Sequence, residues 1–111
     1  MASSSRAIRY VIGTGATQDS VGLLPTNAIV TDTRIKITTP YSVGATITVG
    51  QAGSLTLFQE TADNNPQAPA GDIFAKLQDT AATNLVVRTT IAGAPAAGAA
   101  VVIVGYVIGD A

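Results

Sequence analysis

This sequence predicts an all-β fold, a single antiparallel β-sandwich of jelly-roll-like type. Three observations carry that reading. Short segments alternate apolar and polar residues, Gly, Pro and Asn punctuate them at regular intervals, and no long stretch repeats the apolar pattern of an amphipathic helix. A chain of 111 residues suits one domain that can bury a core without staples. We assign residues 1–5 to a flexible N-terminal arm and residues 6–111 to the sandwich.

The first strand is expected over residues 6–12, with Ile8, Tyr10 and Ile12 on one face and Ala7, Arg9 and Val11 on the other. Gly13-Thr14-Gly15 closes it, and a polar connection follows through Gln18-Asp19-Ser20. Pro25 fixes φ and Asn27 supplies turn chemistry before a long strand over residues 28–39. There the odd positions Ile29, Thr31, Thr33, Ile35 and Ile37 are expected to face the core, and Asp32, Arg34 and Lys36 to share the outer face. Pro40 ends the ladder.

Residues 45–49 alternate again, and the flexible reversal Gly50-Gln51-Ala52-Gly53 leads into a neighbouring strand over residues 54–59. Residues 60–71, with Asn64-Asn65-Pro66 and Pro69, concentrate breakers and polar groups in the principal loop, the surface loop most suited to meet a partner. Residues 73–78 fit a strand through Ile73, Ala75 and Leu77, or one or two helical turns capped by Asp72; strand is preferred. Residues 83–91 read as a strand that Gly93-Ala94-Pro95 breaks.

The last strand, residues 99–108, has no polar face. Val101, Ile103 and Val107 line one side, and Val102, Val104, Tyr106 and Ile108 the other. A strand in a two-layer sandwich has one face shielded by the opposite sheet, so this one calls for extra cover from loops, a terminus or another subunit. Left exposed, it would invite aggregation. It is the main argument for homo-oligomerisation.

Composition narrows the function. The chain is 47% hydrophobic and only 12% charged, against roughly 25% charged in ordinary soluble domains, a surface suited to coverage by partners. Six Lys+Arg against seven Asp+Glu leave no basic footprint for nucleic acid. Cysteine and histidine are both absent, which removes disulfides, thiolate nucleophiles, imidazole bases and nearly all zinc chemistry. The lack of disulfides favours folding in a reducing cytoplasm. Met1-Ala2-Ser3-Ser4-Ser5-Arg6 lacks the basic start and apolar run of a signal peptide. The apolar stretch 92–108 is short, contains Pro95 and lacks basic anchors, so it reads as buried strand and no membrane contact is expected.

Four patterns with chemical potential read better as structure. Tyr10-Val11-Ile12-Gly13-Thr14-Gly15 resembles the entry to a dinucleotide-binding loop, but Gln18 stands at the third glycine position and Gly22 and Pro25 interrupt any helix. Glu60, Asp63, Asp72 and Asp79 could be paired carboxylates for glycoside hydrolysis, yet no Trp or aromatic platform accompanies them. Asp63-Asn64-Asn65 offers oxygen ligands for calcium without EF-hand spacing, and the same trio before Pro66 is what a turn requires. Asp32, Arg34 and Lys36 alternate as charges that keep an outer strand face soluble. We therefore expect a binding protein rather than an enzyme, with no catalytic residues, cofactor or metal.

Leu24-Pro25-Thr26-Asn27-Ala28-Ile29-Val30-Thr31, the alternation into Thr38-Thr39-Pro40-Tyr41, and Ile47-Thr48-Val49-Gly50 together resemble a class of small tailed-bacteriophage virion proteins. The later Leu85-Val86-Val87, an Ala/Gly-rich reversal ending in Gly98, and Val101-Val102-Ile103-Val104-Gly105-Tyr106-Val107 follow in the same order. The resemblance implies a capsid decoration or cement protein, made in the host cytoplasm. It would bind the outer surface of the assembled major capsid protein shell, as a homotrimer, and stabilise it through many repeated contacts. Candidate contacts with the capsid or neighbouring copies are Ser3, Ser4, Ser5, Arg6, Ile8, Tyr10, Asp63, Asn64, Asn65, Pro66 and Tyr106. The alternatives are another virion component (head fibre, neck or tail protein) and a glycan-binding or adhesion sandwich.

Overall fold

The computed structural model describes residues 5–82 and 85–108. Eight strands form in the order β1 (Ser5–Ile12), β2 (Thr17–Leu24), β3 (Ala28–Thr39), β4 (Thr46–Gln51), β5 (Ser54–Gln59), β6 (Ile73–Ala81), β7 (Leu85–Ala92) and β8 (Ala99–Ile108), with one 3₁₀ turn at Thr61–Asp63. They make two four-stranded sheets, β1-β8-β3-β6 and β2-β7-β4-β5, and every described pairing is antiparallel. Each consecutive pair of strands changes sheet except the β4–β5 hairpin, which is the connectivity of an eight-stranded jelly roll. The all-β sandwich expectation holds. Among the described residues no helix is long and apolar enough to cross a membrane.

The core lies between the sheets. Tyr10, Ile12, Val30, Ile35, Ile37, Val102, Val104 and Tyr106 of the first sheet meet Leu24, Ile47, Val49, Phe58, Val87 and Ile91 of the second. The Tyr10 hydroxyl and Thr89 Oγ1 share a 2.6 Å hydrogen bond across the gap, and burial pushes the Tyr10 phenol up to about 12 although that bond pulls the other way. Tyr41, from the β3–β4 connection, donates to the Gly13 carbonyl at 2.8 Å; burial raises its phenol to about 12 as well.

A polar network seals the side of the sandwich where β5 faces β6. Gln59 is fully buried and donates from Nε2 to the carbonyls of Thr33 (2.9 Å) and Phe74 (3.0 Å). Asn64 Nδ2 donates to Gln59 Oε1 and to the Ile47 carbonyl, each at 3.0 Å. Gln78 Nε2 reaches the Phe58 carbonyl at 2.9 Å. These amides satisfy backbone carbonyls that burial would otherwise leave costly.

Two expectations are corrected. Gln18-Asp19-Ser20 is no connection but the first half of β2. Apolar alternation fails there because all three side chains make polar contacts. Gln18 accepts from Gly13 N at 2.7 Å, Asp19 pairs with Arg88 across the strands, and Ser20 Oγ accepts from Val87 N at 3.1 Å within an irregular register. In β3 the phase reverses midway. Thr33, Ile35 and Ile37 face inward as expected, but so do Ala28 and Val30, while Ile29 and Thr31 do not. Val30 lies opposite Tyr106 and Asp32 opposite Gly105, so β3 carries one extra residue there, a bulge that shifts the side-chain parity.

Candidate functional site

Opposite residues on paired strands share a face, so the register specifies what the first sheet turns outward. One row across β1, β8, β3 and β6 is Val11, Val101, Lys36, Ile73; the next is Arg9, Ile103, Arg34, Ala75; the third is Ala7, Gly105, Asp32, Leu77. Val11, Ile73 and Leu77 are 73%, 57% and 81% exposed, an apolar load that a face meant only for water would shed. The doubly apolar β8 lies in the middle of this sheet, its inner side in the core and its outer side partly screened by β1 and β3.

The bulge in β3 shapes the centre of this face. It sets the Asp32 carboxylate over Gly105, where any Cβ would run into it. Thr31 Oγ1 donates to Asp32 Oδ1 at 3.2 Å, and Arg34 Nε pairs with Asp32 Oδ2 at 3.1 Å. The result is an open hollow of about 400 Å³ bounded by Arg6, Ala7, Thr31, Asp32, Arg34, Ile103 and Gly105. Among the described residues no three His, Cys, Asp or Glu side chains come together as metal ligands.

Charge is sorted around this face. Of the six Lys and Arg, Arg9, Arg34 and Lys36 stand on it and Arg6 borders its hollow. Lys76 and Arg88 are held elsewhere, by Asp63 at 3.3 Å and Asp19 at 2.8 Å. The Arg88 hydrogen bond holds the Asp19 carboxyl below its ordinary value. The Glu60 backbone N–H, and after it Lys76, lower that of Asp63. Exposed Asp79 lies within the edge strand β6 and exposed Asp72 immediately before it.

The residues that the sequence singles out fall into two groups that the fold keeps apart. Arg6, Ile8 and Tyr10 lie on β1, one edge of the first sheet, and Tyr106 pairs with Arg6. Asp63, Asn64, Asn65 and Pro66 lie in the loop that approaches β6, the opposite edge, through Asp63–Lys76. Tyr10, Tyr106 and Pro66 are buried and Ile8 packs against the core, whereas Arg6 and Asn65 are exposed. Ser3 and Ser4 lie outside the described residues, as does the Ser5 side chain. Sequence reasoning misses Leu77, Ile73 and Val11 as surface groups, although their parity opposite the inward residues of β6 and β1 is the signal that marks them.

No family model matches the sequence, and no curated protein gives a significant match. Solved structures do share the fold. A chain of the cyanophage Pam1 capsid asymmetric unit superposes with a TM-score of 0.70 at 21% identity, covering 96% of this chain and 86% of that one. A chain of the acid-stable capsid of Helicobacter pylori bacteriophage KHP30 gives 0.70 at 17% identity over 93% and 86%. A chain of the Ralstonia phage GP4 capsid gives 0.56 at 16% identity over 99% and 86%.

Proposed function

We propose that this chain is a structural protein of a bacteriophage capsid, and more narrowly a decoration or cement protein. In this reading it binds the outer surface of the assembled shell as a trimer and reinforces it. The observation that carries the reading is the jelly roll shared, over nearly the whole chain, with chains of phage capsids. The outer face of the first sheet supports it: apolar groups and cations displayed together make a surface for protein contact, and protein contact is all a cement protein requires. Multiplied over a symmetric shell, modest contacts sum to tight retention.

The test is binding to shells assembled from the cognate major capsid protein. The chain is expected to co-sediment with assembled shells at a fixed stoichiometry and to raise their melting temperature. Failure to bind shells, with binding to a tail or neck assembly or to a glycan array instead, would replace this reading with one of the alternatives.

A further inference from the structure

The four edge strands of the sandwich are not equally closed to a further strand. A bulge bends an edge and breaks the row of backbone groups that a newcomer would use. The pairing of β2 with β7 shifts between Asp19 and Leu23, that of β5 with β4 between Val49 and Gln51, and that of β6 with β3 between Val30 and Asp32. The loop before β6 also approaches that edge through Asp63 and Lys76. β1 differs on each count. Every residue from Ser5 to Ile12 faces a partner on β8 without a shift, and no proline interrupts the strand. Among the described residues the backbone of residues 6–12 hydrogen-bonds only with β8. The result is a regular edge about 27 Å long at roughly 3.4 Å per residue.

The side chains along this edge state what it prefers. Its outer row is Ala7, Arg9 and Val11, all exposed, and Arg9 is in no ion pair among the described residues. An added antiparallel strand sets one residue opposite each of these, with β-carbons roughly 5 Å apart. A carboxylate opposite Arg9 is stabilised there and a cation is penalised. Opposite Ala7, the neighbouring row runs over Ala7 and Gly105 into the hollow that Arg6 and Arg34 border, so a second carboxylate there meets two guanidinium groups. A second copy of this chain is a poor occupant: two β1 strands overlapping over the whole of residues 6–12 set Arg9 opposite Arg9.

We propose that β1 is an acceptor edge, to which an extended acidic segment of the shell protein adds as a further strand with carboxylates opposite Arg9 and Ala7. The inference deepens the capsid reading by naming the docking strand, and rests on that reading only for the identity of the protein that supplies the segment.

The probe is a seven-residue peptide alternating glutamate with valine, titrated into the full-length chain and followed by nuclear magnetic resonance, with a lysine-for-glutamate peptide beside it. The glutamate peptide is expected to shift the amide signals of residues 6–12 and to slow hydrogen exchange at every second one, because alternate backbone groups of β1 point away from β8. The edges β2, β5 and β6 stay unchanged. Arg9→Glu weakens the glutamate peptide about tenfold and strengthens the lysine peptide, while Arg9→Lys retains the original preference; a thermal melt verifies that each variant folds. The same alternate protection of β1 is expected by hydrogen exchange on the chain bound to assembled shells.

No response to the peptide, a response at another edge, or equal binding of the two peptides overturns the acceptor edge. So does a free chain that dimerises through β1. A chain that binds shells without protecting β1 contradicts the acceptor edge and leaves the capsid reading standing. One that takes the glutamate peptide on β1 yet ignores shells supports the edge and contradicts the capsid reading.

Discussion

The two outward faces of this sandwich solve the same problem differently. On the second sheet the rows are Thr17, Thr90 and Thr48, then Asp19, Arg88 and Gly50, with Leu23 beside Val86 and Leu55 on β5 as exposed apolar groups. Threonine keeps the β-branched shape that a pleated surface favours, although the Thr90 hydroxyl is buried without a hydrogen-bond partner among the described residues, and the cation is held by two hydrogen bonds to Asp19 at 2.8 and 3.1 Å. On the first sheet the corresponding positions carry Val11, Ile73, Leu77 and, at Arg9 and Lys36, cations that form no ion pair among the described residues. Equal strand number and equal burial of the inner faces therefore do not make equal surfaces. The second sheet turns outward mainly threonine and a paired arginine, the first a mixture of apolar side chains and, among the described residues, unpaired cations.

The largest expected effect comes from a position where a glycine admits close backbone approach. A Cβ on Gly50 would meet the Ser54 carbonyl and the Leu55 backbone in the β4–β5 hairpin, groups that cannot yield. Gly50→Ala is expected to cost about 3 kcal/mol in chemical denaturation. The equivalent change in the first sheet, Gly105→Ala, meets the end of the Asp32 side chain, which can swing away; its cost is expected at about 1 kcal/mol, accompanied by filling of the hollow. Equal costs for the two would remove the distinction between a rigid hairpin and an adjustable face.

Alkali probes what lies between the faces. The Tyr10 phenol ionises near 10 in the unfolded chain and at about 12 in the folded one, so the folded chain holds its proton more tightly. Its contribution is complete below pH 10 and is lost as pH rises through 12, a difference on the order of 2 to 3 kcal/mol. Tyr41 acts in the same direction. Stability measured from pH 9 to 12 should fall steeply in the wild type and less in Tyr10→Phe. An unchanged slope in that variant would place the alkaline loss elsewhere.

How much of the fold is legible in the sequence follows from the local physics. β8 and residues 8–12 of β1 are plain because every inward position there is apolar. β3 reads in a single phase because Ala28, Ile29 and Val30 are apolar on both parities, and alternation cannot locate a bulge when both choices look like core. β2 is hidden because Gln18, Asp19 and Ser20 make their contacts through polar atoms with residues of distant strands or the preceding turn. The make-up of the first sheet's outer face is hidden for a related reason: Asp32, Arg34 and Lys36 read alone are a solvated stripe. Only the register shows that Val11, Ile103, Ile73 and Leu77 lie beside them.

The smallest effects separate the faces most cleanly. Arg88→Ala removes an exposed, solvent-screened ion pair from the second sheet and is expected to lower stability only slightly, less in high salt, with association untouched. Leu77→Ser is expected to change monomer stability by no more than about 0.5 kcal/mol while weakening association strongly. The reverse assignment of the association defect would exchange the roles of the two sheets.

An image reconstruction of the intact particle would locate this chain and show which of its faces is covered. This chain is expected on the outer surface of the shell, with the outer face of the first sheet covered by neighbouring protein and the outer face of the second open to solvent. A reconstruction that shows the first sheet bare, or finds the chain absent from the capsid, would contradict it.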